Sequence, residues 1–122
     1  MSARRILRIA AASVWLHQGL WCKVLGHDPG HEEILRSLPG LPPGAARPLT
    51  RAVGLGETVL AGVVVARGDR RRVALLQLGL VGAMNAGGLL VGRSHIDRPW
   101  RLLARNAGFA ALVWSVVDDA GW

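Results

Sequence analysis

The chain has no tyrosine, one phenylalanine and one cysteine among its 122 residues. A surface that stacks single-stranded nucleic acid needs a row of aromatic side chains beside its cations, and this composition does not supply one. The lone Cys22 rules out an internal disulfide and a multi-cysteine metal centre. Acids are scarce as well: eight Asp and Glu face fifteen Lys and Arg, a formal charge of +7. A basic balance usually raises nucleic-acid binding. Here the cations sit in short clusters at the ends of apolar runs (Arg4, Arg5, Arg8; Arg67, Arg70, Arg71, Arg72; Arg98, Arg101, Arg105). Those are the places where a membrane protein keeps charge for lipid headgroups and for snorkelling, so nucleic acid is excluded as a partner and the lipid bilayer takes its place. There is no nucleotide-binding motif, no cysteine cluster and no paired histidine ligands for haem.

What the chain does have is VALLQLGLVGAMNAGGLLVG, residues 73–92, without a formal charge and fenced by arginines at both ends. A helix of that length rises about 30 Å, the thickness of a hydrocarbon layer. A chain this short can hardly wrap such a helix on every side in water. Gly79, Gly82, Gly87 and Gly88 weaken a helix in water but let helices pack closely in lipid. The run is read as a transmembrane helix.

Three further apolar stretches accompany it, at residues 6–25, 48–66 and 102–117. Residues 1–12 begin like a signal peptide, but Trp15, His17 and Gln18 follow and the apolar run continues past them, which predicts a retained first helix. The long connection 26–47 carries HDPGHEEILRSL, in which Asp28 caps a short amphipathic helix and Pro29 suits its first turn. PGLPPG then breaks the helix and returns the chain. The other connections, 67–72 and 93–100, are short, and short connections make successive helices antiparallel neighbours. The expected fold is all-α: one domain over residues 1–122, a four-helix transmembrane bundle running up-down-up-down, with a short amphipathic helix in the first connection. The arginines on the two sides nearly balance. The basic first helix then sets the orientation, giving a multi-pass protein of the inner (plasma) membrane with both termini cytoplasmic.

Glu57 is the most informative side chain. An ionisable group in mid-helix costs several kcal/mol in lipid unless it is paired, hydrated or protonated, so it must face the interior. Lys23, Arg51 and Arg105 are its candidate partners, and a proton, a cation or a ligand its candidate cargo. His17 and Gln18 share a helical face with Val14 and Trp21 at spacings of three and four. His17 has the chemistry to take a proton, bond a quinone carbonyl or ligate haem. Asn85 and Asn106 suit interhelical hydrogen bonding. Together His17, Gln18, Glu57, Asn85 and Asn106 are the expected ligand-binding set. His27, Asp28, His31 and Glu32 have ligand chemistry, but a helix start between the two histidines separates them, so no metal is expected. Cys22 beside Lys23 is either a redox thiol or an inert cysteine at a helix end. Gly79, Ala83 and Gly87, and Gly54, Thr58 and Gly62, form rows of small residues suited to close helix packing.

The ordered set VWLHQGLWCKVLGHDPGHEEIL, LTRAVGLGETVLAG, AMNAGGLL and RNAGFAALVW resembles the DoxX-like family, from about Val14 to Trp114. Its most specific pieces are Gly19 with Lys23, the Gly54-Leu55-Gly56-Glu57 segment and the Arg105-Asn106 pair. Where relatives often carry a Tyr-Glu pair, this chain has His17-Gln18. The resemblance implies a four-helix integral membrane protein. Through the wider DoxX/DoxD group, which includes a thiosulfate:quinone oxidoreductase, it also implies a quinone-linked membrane redox system. The expected role is a subunit or accessory of such a system that binds quinone or anchors a peripheral or soluble redox protein. No other cofactor is expected, and the residues do not decide whether the protein is itself an enzyme. Two alternatives stand beside it: a small proton-coupled transporter working as a homo-oligomer, in the manner of small multidrug resistance proteins, and a structural or assembly factor with no ligand.

Overall fold

Ser2 starts the first helix by accepting a hydrogen bond from Arg5 N on its hydroxyl. The computed structural model describes residues 2–42, 44–91 and 98–118. Helix α1, Ala3–Leu16, runs without a break into a π-helical segment, His17–Val24. A π turn is rare and commonly marks a functional position, so eight consecutive residues of it single this stretch out. The hydrogen-bonding register changes at His17, yet His17 and Trp21, expected to share a face, still lie on one side of the segment. Gly26, in the left-handed region at φ +73°, ends the segment.

Helix α2, Pro29–Arg36, is the short amphipathic helix expected in the first connection. Asp28 Oδ1 accepts from Gly30 N and Pro29 opens the first turn. Helix α3 is Ala46–Arg67, α4 is Arg71–Val91 and α5 is Pro99–Ser115. Every regular element among the described residues is helical. The connection expected at 93–100 lies largely outside the described residues, as do Gly92 and Arg93.

One apolar core holds the long helices together. Ala11, Ala12 and Trp15 of α1 meet Leu60, Ala61 and Val64 of α3, Ala74 of α4, and Phe109 and Val113 of α5. Trp15 and Phe109 pack edge to face, ring centres 5.7 Å apart. At one end of the molecule Arg8 pairs with Asp69 at 3.3 Å and Arg4 with Asp118 at 3.7 Å. Asp118 N donates to Asp69 O at 2.8 Å. The start of α1, the turn between α3 and α4, and the end of α5 therefore gather at the same end.

Helices α3 and α4 are long and apolar enough to cross a membrane. Only 33% and 17% of their apolar windows are buried, whereas the core helix of a soluble protein would be mostly covered. Their outward faces carry large apolar side chains in the open, with Leu90 84% and Val59 67% exposed, as lipid-facing surfaces do. The other two apolar stretches do not reach the same standard. α5 has 17 residues with Arg101 and Arg105 in its first half, and α1 with its π segment carries Arg4, Arg5, Arg8 and Lys23. The two small-residue rows also fare differently. Gly54 lies in a tight contact, whereas Gly62, Gly79 and Gly87 face open space.

Candidate functional site

The π segment and α3 cross backbone to backbone. A Cβ added at Gly19 would lie 2.5 Å from Gly54 O, and one added at Gly54 would lie 2.6 Å from Gly19 O and 2.7 Å from Lys23 Cβ. Only glycine permits that approach. The crossing sets Lys23, one turn beyond Gly19, against Glu57, three residues beyond Gly54. Lys23 Nζ lies 2.6 Å from Glu57 Oε1, and both side chains are buried, 10% and 4% exposed. Lys23 also donates to Gln18 O at 3.4 Å, across a π-helical turn. The hold on Oε1 is by charge, without a well-directed hydrogen bond, and Oε2 has no hydrogen-bond donor among the described residues. Thr58 turns its hydroxyl back to Gly54 O at 2.7 Å, satisfying that carbonyl where the helices cross.

Glu57 also lines a groove of about 420 Å³ between α3 and α4. The rest of the wall is apolar: Val53, Leu60 and Val63 on one side face Leu76, Leu80 and Met84 on the other. The groove exists because α3 and α4, although joined by a tight turn, barely touch beyond it, while α3 packs on α1 and α4 on α5. A volume of this size falls within the range of small-molecule sites.

The five expected site residues are distributed over three places. Glu57 pairs with Lys23, which Gln18 reaches only through its backbone carbonyl. Asn106 Nδ2 donates to Asn85 Oδ1 at 2.6 Å, so these two satisfy each other between α4 and α5. His17 is exposed and lines a second, shallower groove with Ser13, Leu16, Leu20, Trp21 and Leu25. Its Nε2 lies 3.7 Å from Cys22 Sγ.

Two buried polar residues, Thr50 and Gln77, escaped the sequence reading. Gln77, in the middle of the uncharged run, is fully buried, and its Oε1 accepts from Trp15 Nε1 at 2.8 Å. A lone glutamine among leucines was the available signal, since a polar amide in a lipid-spanning run must find a partner.

Around α2 the histidines part as the cap at Asp28 requires. His27 stays outside the helix and stacks on Trp21, ring centres 3.9 Å apart. His31 turns back to Asp28, Nε2 to Oδ2 3.3 Å. Burial, with help from the Lys23 ammonium, pushes His31 down to about 4 despite the Asp28 carboxylate, so its imidazole is neutral at neutral pH.

Gly19, Lys23, Gly54, Glu57, Asn85 and Asn106 all fall within residues 12–114, the segment matched by the model of the DoxX-like family. The chain belongs to the DoxX-like family. This is a family of membrane-associated proteins, in keeping with the two helices apolar enough to span. No curated protein and no solved structure matches the chain. For this DoxX-like protein the Gly19–Gly54 crossing and the Lys23–Glu57 pair therefore account for residues on which the resemblance rests.

Proposed function

We propose that this DoxX-like protein is a four-span protein of the inner membrane, with both termini cytoplasmic, that binds an isoprenoid quinone as a subunit or accessory of a membrane redox system. The observation that carries the reading is Glu57. Its carboxylate is buried, its Oε2 has no hydrogen-bond partner among the described residues, and it is the single charged side chain in the wall of an apolar groove. A quinol hydroxyl donates to a carboxylate, and a quinone carbonyl accepts from a protonated one, so this side chain matches both redox states of such a head. The apolar walls suit the isoprenoid tail, and a groove between two lipid-facing helices lets the tail continue into the bilayer.

The four-span arrangement draws support from the gathering of Arg4, Arg8, Asp69 and Asp118 at one end, which sets both ends of the described chain beside the α3–α4 turn. That turn carries Arg67, Arg70, Arg71 and Arg72, a basic surface of the kind that stays in the cytoplasm and draws an acidic redox partner.

The test is to purify the protein gently from native membranes, extract the lipids and measure quinone per chain. Wild type is expected to retain quinone, and Glu57→Leu to lose it while keeping its helical content. The transporter alternative, in which the same carboxylate carries protons within a homo-oligomer, is tested in proteoliposomes. Proton-driven export of cationic dyes that Glu57→Gln abolishes, with no bound quinone, would replace the redox reading. Neither quinone nor flux would leave a structural or assembly role.

A further inference from the structure

Cys22, Asp28 and His31 come from two elements, the π segment and the start of α2, yet their ligand atoms all lie within 4.8 Å of one another. Cys22 is buried, His31 half-buried and Asp28 exposed, so the cluster has a protected thiol and an open side for entry. His17 reaches it from the preceding turn, with Nε2 3.7 Å from Cys22 Sγ. Asp28 divides its labour: Oδ1 caps α2 through Gly30 N, which leaves Oδ2 beside His31 Nε2 at 3.3 Å. None of this chemistry is used by the Lys23–Glu57 site.

We propose that Cys22, Asp28 and His31, closed by His17, form a tetrahedral site for a divalent transition cation of borderline softness, zinc being the best match. A zinc ion holds sulfur, nitrogen and oxygen ligands at about 2.0–2.3 Å, so neighbouring ligand atoms of a tetrahedron lie about 3.3–3.8 Å apart. The His31–Asp28 and His17–Cys22 separations already meet that spacing. Within the Cys22, Asp28 and His31 cluster, bringing the remaining ligand atoms from within 4.8 Å to it needs about an ångström of side-chain movement around an ion, and His17 joins through its approach to Cys22. The donor set of one thiolate, one carboxylate and two imidazoles selects zinc over calcium or magnesium, which take oxygen ligands.

Charge is consistent. On binding, the Cys22 thiol gives up its proton to solvent and forms the metal–sulfur bond, so that thiolate and carboxylate together neutralise the dication. The nearest ammonium, Lys23, is paired with Glu57. The site would fasten the end of the first helix to α2 and so hold the first connection in place. It stands independently of the quinone reading, because neither Glu57 nor the α3–α4 groove takes part.

The experiment uses the full chain in detergent, stripped with chelator, kept reduced and titrated with Co2+. Wild type is expected to show the near-ultraviolet thiolate-to-cobalt band and the visible bands of tetrahedral cobalt, saturating at one Co2+ per chain and displaced by Zn2+. Asp28→Asn, which keeps the capping oxygen, and His31→Ala are each expected to weaken Co2+ binding by about tenfold or more. Cys22→Ser should remove the near-ultraviolet band, and His27→Ala, outside the cluster, should leave the titration unchanged. Absence of the thiolate band in wild type, or its persistence with unchanged affinity in both Asp28→Asn and His31→Ala, overturns the site. An unaltered cobalt spectrum in His17→Ala overturns the fourth ligand. Far-ultraviolet circular dichroism keeps loss of binding distinct from loss of fold. Should Cys22→Ser misfold, the two α2 variants decide alone.

Discussion

Gly19 and Gly54 stand with their backbones in contact, each facing the other's carbonyl oxygen, so that a methyl group on either would lie 2.5 or 2.6 Å from that oxygen. This contact determines how close the π segment comes to α3. In turn it brings the Lys23 ammonium and the Glu57 carboxylate to 2.6 Å in a buried place. A wider crossing would leave two charges buried and apart, each costing several kcal/mol.

Gly19→Ala and Gly54→Ala are therefore expected to destabilise the protein by about 1–3 kcal/mol each, the usual cost of overpacking where the obstacle is backbone and cannot yield. Gly62→Ala and Gly79→Ala meet nothing within 4 Å and restore about 0.5–1 kcal/mol of helix propensity, so they are expected to be neutral or stabilising. Unfolding in detergent, followed by circular dichroism, separates the two groups. Equal effects at all four positions would mean that the crossing is loose.

The Lys23–Glu57 pair is expected to show strong coupling. Lys23→Met leaves a buried carboxylate without its cation, and Glu57→Leu leaves a buried ammonium, each a loss of about 3–5 kcal/mol. The double variant removes both charges and is expected to be more stable than either single one. A double-mutant cycle measures the coupling directly. Additive single effects would show that the two groups do not depend on each other.

Much of this was legible in the sequence because the physics was local. Helix α2 is announced by Asp28, Pro29 and the acids after them. The interior position of Glu57 follows from the cost of a charge in lipid, and Lys23 was one of its three candidate cations. The π segment was not legible, since HQGLWCKV carries no pattern that distinguishes it from α-helix. Its register depends on the tertiary contact at Gly54, thirty-odd residues away in the chain. The π register sets His17 beside Cys22, five residues on, which no α-helical spacing would indicate. Gln77 was passed over for a different reason: its partner, the Trp15 indole, is a residue usually counted as apolar, and only the fold brings the two together.

That Trp15–Gln77 bond carries its own expectation. Trp15→Phe keeps most of the ring's packing against Phe109 but removes the indole donor from a fully buried glutamine oxygen. The unsatisfied amide should cost about 1–3 kcal/mol beyond the smaller ring's lost contact. Replacing both, with Trp15→Phe and Gln77→Leu together, should recover part of the loss. A single Gln77→Leu variant as stable as wild type would show that the hydrogen bond contributes nothing net.

The path of the chain is tested last, at the end where Arg8 meets Asp69 and Arg4 meets Asp118. Those contacts require Asp69 and the end of α5 to lie on one side, while Gly40, in the connection after α2, lies beyond the far end of the first helix. Topology reporters fused after Asp69 and after Trp122 should therefore give the same signal, and a fusion after Gly40 the opposite one. With the basic α3–α4 turn in the cytoplasm, the first two read cytoplasmic. Unlike signals at Asp69 and Trp122 would mean that α4 and α5 do not both cross. Matching but periplasmic signals would keep the four spans and reverse the protein in the membrane, moving the arginine-rich turn away from any cytoplasmic redox partner.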